Sequence, residues 1–150
     1  KVIPLFVTNA IDDISVPLYG DGRNVRDWLH VEDHCRAVDL LLGRATNGEV
    51  YNIGGGNDVM NVDLTHRILE ALDKPASLIK PVADRPGHDR RYCLDTTKLR
   101  GLGWTPQVPF DKGLRDTLEW YRRNEWWWRP IKEEDAAFKA YYDEQYGRRS

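Results

Sequence analysis

Apolar positions recur at helical spacing in several separated stretches of this chain, with short β-branched or aromatic runs closed by glycine turns between them. Ile3, Phe6, Val7 and Ala10 predict a helix over Lys1 to Ala10, with Pro4 in its first turn, where a missing N–H costs nothing. Val16 to Tyr19 reads as a brief strand closed by Gly20-Asp21-Gly22. Val25 to Val31 alternates and predicts a second strand, antiparallel to the first. Val31, Cys35, Val38 and Leu42 form the next stripe, a helix ending by Gly43 with Glu32 and Asp33 in the first turn, where carboxylates oppose the helix dipole.

Glu49 to Ile53 predicts a buried strand running into the tight loop Gly54-Gly55-Gly56. Asn61 is a good N-cap for a helix carrying Thr65, Ile68, Leu69 and Leu72, stopped by Lys74-Pro75. A further strand is expected over Ser77 to Val82. A short helix capped by Asp95 should then run through Leu102 and end at Gly103. Phe110 and Asp111 open a helix with Leu114, Leu118 and Tyr121 at successive turns, running into Trp126-Trp127-Trp128 before Pro130. A charged, aromatic tail follows. Helices alternate with short strands as in α/β or α+β proteins, and no repeat or large independent sheet is visible.

At 150 residues one domain is expected, and the chain's opening at Lys1 without a start of domain reads as the second half of an enzyme. A formal net charge of -2 gives no footprint for nucleic acid and no polybasic membrane anchor, so a small soluble ligand is the expected partner. Two cysteines, Cys35 and Cys93, make no disulfide framework, and no apolar run approaches the roughly 20 residues that span a bilayer. The expected location is cytoplasmic.

Two turns carry the candidate chemistry. Arg26 follows the first and Arg85 sits in the second, beside Gly87 and His88. A nucleotide diphosphate suits arginine, whose planar fork makes paired charge-assisted hydrogen bonds of about 1.5–3 kcal/mol each. The alternative is that these arginines are solvated or pair with Asp27, Asp84 and Asp89. His30, His34, His66 and His88 form no recognisable zinc pattern, so no metal is expected, and His66 reads as a surface residue. Gly54-Gly55-Gly56 lacks the third glycine of a dinucleotide fingerprint and is read as a turn, with Asn61 at the following helix start able to reach a ligand. Three consecutive tryptophans point in different directions on a helix, so packing is preferred to a sugar platform. No Tyr has a Lys four residues on, and neither GxSxG nor HExxH occurs, so no catalytic residue is assigned within the chain.

Taken together, PLYGDGRNVRDWLHVEDHCRA, EVYNIGGGNDVMNVDL, DRPGHDRRY and NEWWW resemble the C-terminal part of the dTDP-glucose 4,6-dehydratases, within the extended short-chain dehydrogenases. RDWLHVEDH is shared with several nucleotide-sugar epimerases and dehydratases, whereas DRPGHDRRY and NEWWW narrow the match. The resemblance runs to about Ile131. It implies an α/β fold of mainly helices with short strands, most of the Rossmann sheet lying outside this chain, so that residues 1–150 are a C-terminal sugar-nucleotide-binding domain. It also implies a dTDP-sugar ligand, a homodimer, and a role in deoxysugar synthesis such as the rhamnose route. By that resemblance Lys1 and Val2 lie against the nucleotide, Pro17, Leu18 and Tyr19 line the base pocket, and Arg26 binds the diphosphate. Asn61, Arg85 and His88 complete the ligand shell. The implied reaction oxidises the sugar at C4 with hydride passing to NAD, loses water across C5 and C6, and returns the hydride to C6. The catalytic Tyr and Lys, the acid and base, and the NAD loop of that reaction are absent from these residues. A fragment of a related epimerase or decarboxylase and a non-catalytic sugar-nucleotide-binding module are the competing expectations.

Overall fold

A computed structural model describes residues 1–147. Helix α1 (Val2–Ile11) buries Phe6, Val7 and Ala10 and carries Pro4 in its first turn. It leads to β1 (Val16–Tyr19) and β2 (Val25–Asp27). Helix α2 (Val31–Arg44) follows, opened by the His30 side chain, which accepts the Glu32 N–H. Strand β3 (Asp58–Met60) runs directly into α3 (Asn61–Ala71), and a 3-10 turn (Ala76–Leu78) precedes β4 (Ile79–Val82). Four helices complete the chain: α4 (Thr97–Gly101), α5 (Phe110–Arg123), α6 (Glu125–Glu133) and α7 (Ala136–Tyr142), with a π-helical turn (Asp143–Gly147) after them.

The strands pair otherwise than expected. β1 does not join β2; it lies parallel to β4, Val16 opposite Ile79 and Tyr19 opposite Val82. β2 pairs antiparallel with β3, Val25 opposite Met60 and Asp27 opposite Asp58. The turn at Gly20 and Gly22, both in the left-handed region, turns the chain away from a hairpin. A Cβ on Gly22 would meet Leu18 Cδ2 at 2.7 Å and Val62 Cβ at 2.9 Å, so this turn must sit tightly on β1 and α3.

The main core joins α1, β1, α3 and α5 through Val7, Val16, Leu64, Ile68 and Leu118. A smaller cluster of Ala37, Leu99 and Trp104 lies under α2. Asp33 ties α2 to the segment that precedes α5. Its fully buried carboxylate accepts the N–H groups of Gln107 at 2.7 Å and Val108 at 3.0 Å and pairs with Arg36, while its carbonyl accepts Trp104 Nε1 at 3.2 Å. Burial raises its pKa, but these donors outweigh burial and hold it below the usual carboxylate range.

Helix α2 is present, but its expected stripe faces outward. Val31, Val38 and Leu42 are exposed, Leu42 by 85%, and Cys35 is exposed, while Ala37 and Asp33 turn inward. Glu49 to Ile53 is not a strand: no described strand runs beside it, and Val50 is 79% exposed. Asn61 is the first residue of α3 and not its cap, because its backbone N–H is drawn to the Asn24 carbonyl at 3.0 Å. The last predicted helix divides at Asn124, so that Pro130 lies inside α6. Of the three consecutive tryptophans Trp128 is the buried one, its Nε1 donating to the Tyr121 carbonyl at 2.9 Å. Trp126 and Trp127 are exposed.

Candidate functional site

Val25 draws the two arginine turns together. Its N–H donates to the Arg90 carbonyl at 2.8 Å, and its carbonyl accepts the Tyr92 N–H at 3.2 Å. The segment from Asp84 to Arg91 is thereby sewn along the edge of β2 opposite β3. Asn24 Nδ2 adds a bond to the Asp89 carbonyl at 3.1 Å. The result is an open cleft of about 770 Å³.

Every residue expected at the ligand lines this cleft. Lys1 and Val2 stand at the start of α1, Pro17, Leu18 and Tyr19 belong to β1, and Arg26 rises from β2. Asn61 contributes from the first turn of α3, with its side-chain oxygen buried and unpartnered among the described residues. Arg85 and His88 come from the second turn. Trp28 and two residues of the tail, Tyr141 and Tyr146, line it as well and were not anticipated. For Tyr146 a signal existed: Phe138, Tyr142 and Tyr146 recur every four residues, an aromatic stripe at helical spacing.

The arginines of the cleft differ from their neighbours. Arg90 forks onto Asp21 at 2.8 and 2.9 Å, and Arg91 reaches Asp58 at 2.5 Å. Arg26 instead donates to the carbonyls of Val25 at 2.7 Å and Asp89 at 3.0 Å, and its guanidinium lies 4.1 Å from the centre of the Tyr92 ring. Neither Arg26 nor Arg85 forms an ion pair within 4 Å among the described residues. The pairing with Asp27, Asp84 or Asp89 that would have made them structural is therefore not formed. Asp27 accepts the Asn57 N–H, and Asp84 accepts the Arg85 backbone N–H while meeting His88 Nδ1 at 2.6 Å. Asp89 accepts the Tyr92 hydroxyl, which raises the Tyr92 pKa, while the charges of Arg26 and Arg85 act to lower it; both guanidiniums are thus within electrostatic reach of one hydroxyl. For Asp84, burial raises the pKa, but the His88 and Arg85 hydrogen bonds outweigh it and hold the carboxyl low.

His88 is the more buried partner of Asp84. Its side chain is only 6% exposed and meets Tyr19 edge to face at 5.8 Å between ring centres. Tyr146 also packs on Tyr19, with ring centres 6.0 Å apart. Arginines without a carboxylate partner and aromatic rings lining one cleft suit a phosphorylated ligand with a flat ring.

The Gly54-Gly55-Gly56 loop is not a dinucleotide cradle. A Cβ on Gly54 would strike Asp27 Oδ2 at 2.5 Å, and one on Gly55 the Trp28 carbonyl at 2.6 Å, so these glycines allow close packing on β2 and the residues after it. Packing therefore accounts for this loop without a cofactor. No group of His, Cys, Asp and Glu among the described residues is arranged to hold a metal ion, and His34 and His66 are exposed.

Comparison with known proteins places the chain in a family. The dTDP-glucose 4,6-dehydratase of Actinoplanes sp. is 57% identical over 129 residues, covering 85% of this chain and 40% of the relative. The solved dTDP-glucose 4,6-dehydratase of Streptomyces venezuelae, with NAD and TYD bound, superposes with a TM-score of 0.85 at 52% identity, over 87% of this chain and 41% of that one. That of Bacillus anthracis, in complex with NAD, superposes with a TM-score of 0.83 at 49% identity, over 87% of this chain and 42% of that one. The chain thus spans about two fifths of the length of the relatives it matches, and the match is to their C-terminal part. The family model described as GDP-mannose 4,6 dehydratase matches residues 1–117, and the chain belongs to that family.

Proposed function

We propose that this chain is the substrate-binding part of an NAD-dependent dTDP-glucose 4,6-dehydratase, which converts dTDP-glucose to dTDP-4-keto-6-deoxyglucose with loss of water. The observation that carries the reading is the gathering of all nine expected ligand residues around one cleft, with Arg26 and Arg85 both lacking a carboxylate partner among the described residues. Arg26 and Arg85 hold the diphosphate, β1 from Pro17 to Tyr19 reads the base, and His88, fixed by Asp84, sets the edge of the pocket. NAD, which supplies the hydride acceptor and donor, belongs to a part of the enzyme outside these residues, as do the catalytic groups, and this chain alone is inactive. The outward apolar stripe of α2 supports that division, since Val31, Val38 and Leu42 are apolar surface that another part of an enzyme would cover.

The reading extends to a cytoplasmic homodimer serving deoxysugar synthesis such as the rhamnose route. No helix among the described residues is long and apolar enough to cross a membrane. The test is competition binding on the full-length protein. Displacement of a labelled dTDP-sugar by dTDP at lower concentration than by UDP or GDP is expected; equal displacement by all three overturns the base assignment.

A further inference from the structure

Asp12 lies at the C-terminal end of α1, where a carboxylate faces the negative pole of the helix dipole and the last unpaired carbonyls. That placement is unfavourable by itself. Its explanation lies more than a hundred residues away. Lys132 Nζ donates to Asp12 Oδ2 at 2.6 Å and also to the Thr8 carbonyl at 3.0 Å, and Arg129 Nη2 meets Asp12 Oδ1 at 3.0 Å. The Lys132 and Asp12 side chains are 15% and 19% exposed, so this contact is poorly screened by solvent. Arg129 is itself fixed by Glu125 at 2.6 Å and Glu133 at 2.8 Å, and its guanidinium lies over buried Trp128. These acids hold the Arg129 pKa above its ordinary value. One turn back along α1, Asn9 Nδ2 donates to the Tyr142 hydroxyl at 3.1 Å, adding an anchor on α7.

Beyond that anchor the chain turns toward the cleft. Phe138, Tyr142 and Tyr146 stack in succession, with ring centres 6.3 and 5.1 Å apart, and Tyr146 reaches Tyr19. Burial, followed by a hydrogen bond to Tyr19, pushes the Tyr146 phenol upward. The tail therefore has two fixed ends, one on α1 and one on β1.

We propose that Asp12 is a positioning residue for the nucleotide cleft: by clamping Arg129 and Lys132 it straps α6 and α7 across α1 and so holds Tyr141 and Tyr146 as a wall of the cleft. The ligand half of this proposal rests on the function proposed above; the strap itself does not. Asp12 does not line the cleft, and its effect passes through the tail.

The test uses the full-length protein with Asp12→Asn, which removes the charge and keeps an oxygen acceptor, and Asp12→Glu, which keeps the charge. Without ligand, chymotryptic cleavage within Phe138 to Tyr146 is expected to quicken about tenfold in Asp12→Asn, since cleavage tracks the opened population, and to return toward the original rate in Asp12→Glu. With ligand, Asp12→Asn is expected to raise the dTDP Kd about fivefold, and to change it less than about twofold once residues 136–150 are deleted, as two changes acting through one element are non-additive. Cleavage of Asp12→Asn at the original rate overturns the strap. An undiminished loss of affinity in the truncated background overturns the route through the tail. If the unaltered protein does not bind dTDP, the function proposed above fails and the ligand half falls with it, while the cleavage experiment still decides the strap.

Discussion

Replacing Arg26 by alanine in the full-length protein is the most direct perturbation of the proposed phosphate grip. Two of its N–H donors are committed to the Val25 and Asp89 carbonyls, and donors on Nη1, Nη2 and Nε remain for a ligand. A charge-assisted bond to phosphate contributes about 1.5–3 kcal/mol, and the openness of the cleft favours the lower end, since solvent screens exposed charges. A loss of about 1.5 kcal/mol raises the dTDP Kd roughly tenfold. Release of the Asp84 to Arg91 segment does not account for such a loss, because Asn24 Nδ2 and both backbone groups of Val25 hold that segment without Arg26. Arg26→Lys keeps the charge but not the fork, and should recover only part of the affinity. Calorimetric titration with dTDP measures all three proteins. An unchanged Kd in Arg26→Ala, or full recovery in Arg26→Lys, refutes the reasoning.

Loss of the Asp33 carboxylate in Asp33→Ala orphans the Gln107 and Val108 N–H groups and Arg36, and should destabilise the protein by about 3 kcal/mol, read as a lowered urea midpoint. Because Asp33 has a depressed pKa when folded, its stabilisation is fully present above the unfolded value near pH 4 and disappears as pH falls through the folded value. The gap between the original protein and Asp33→Asn should therefore stay constant from pH 7 to about 5 and narrow below about 4; a gap that widens there contradicts the assignment. Gly55→Ala, driven against the Trp28 carbonyl, should cost about 1–3 kcal/mol in denaturant melts while leaving NAD affinity of the full-length protein unchanged. Weakened NAD binding at unchanged stability would restore the cofactor role to that loop.

Helices were legible in the sequence because their signals are local. The spacing of Thr65, Ile68, Leu69 and Leu72 places α3 on the core, and Leu114 and Leu118 do the same for α5. Strand pairing was not, because strands of three and four residues carry little pattern and find partners far along the chain: β1 waits for β4, and Val25 for Arg91. Periodicity also names a stripe without saying what it faces: that of α2 lies at the surface, while Ala37 and Asp33 occupy the inward side. The site had a different kind of legibility. Arg26 and Arg85 came from chemistry and turn position, but Lys1, Val2 and Pro17 came from the family resemblance alone, and long-range pairing through Val25 brings the second turn to their cleft.

Spacing marks an aromatic stripe in the tail but not its place at the cleft, which comes through Asp12, a residue that reads in sequence as an ordinary acid after a helix. An acid at the wrong pole of a helix is a local inconsistency, and such inconsistencies point to a partner elsewhere in the fold. Here the partners are Arg129 and Lys132, and the segment they secure ends against Tyr19. The misplaced charge thus gives a physical reason for a C-terminal segment to close over a cleft whose other residues lie before position 89.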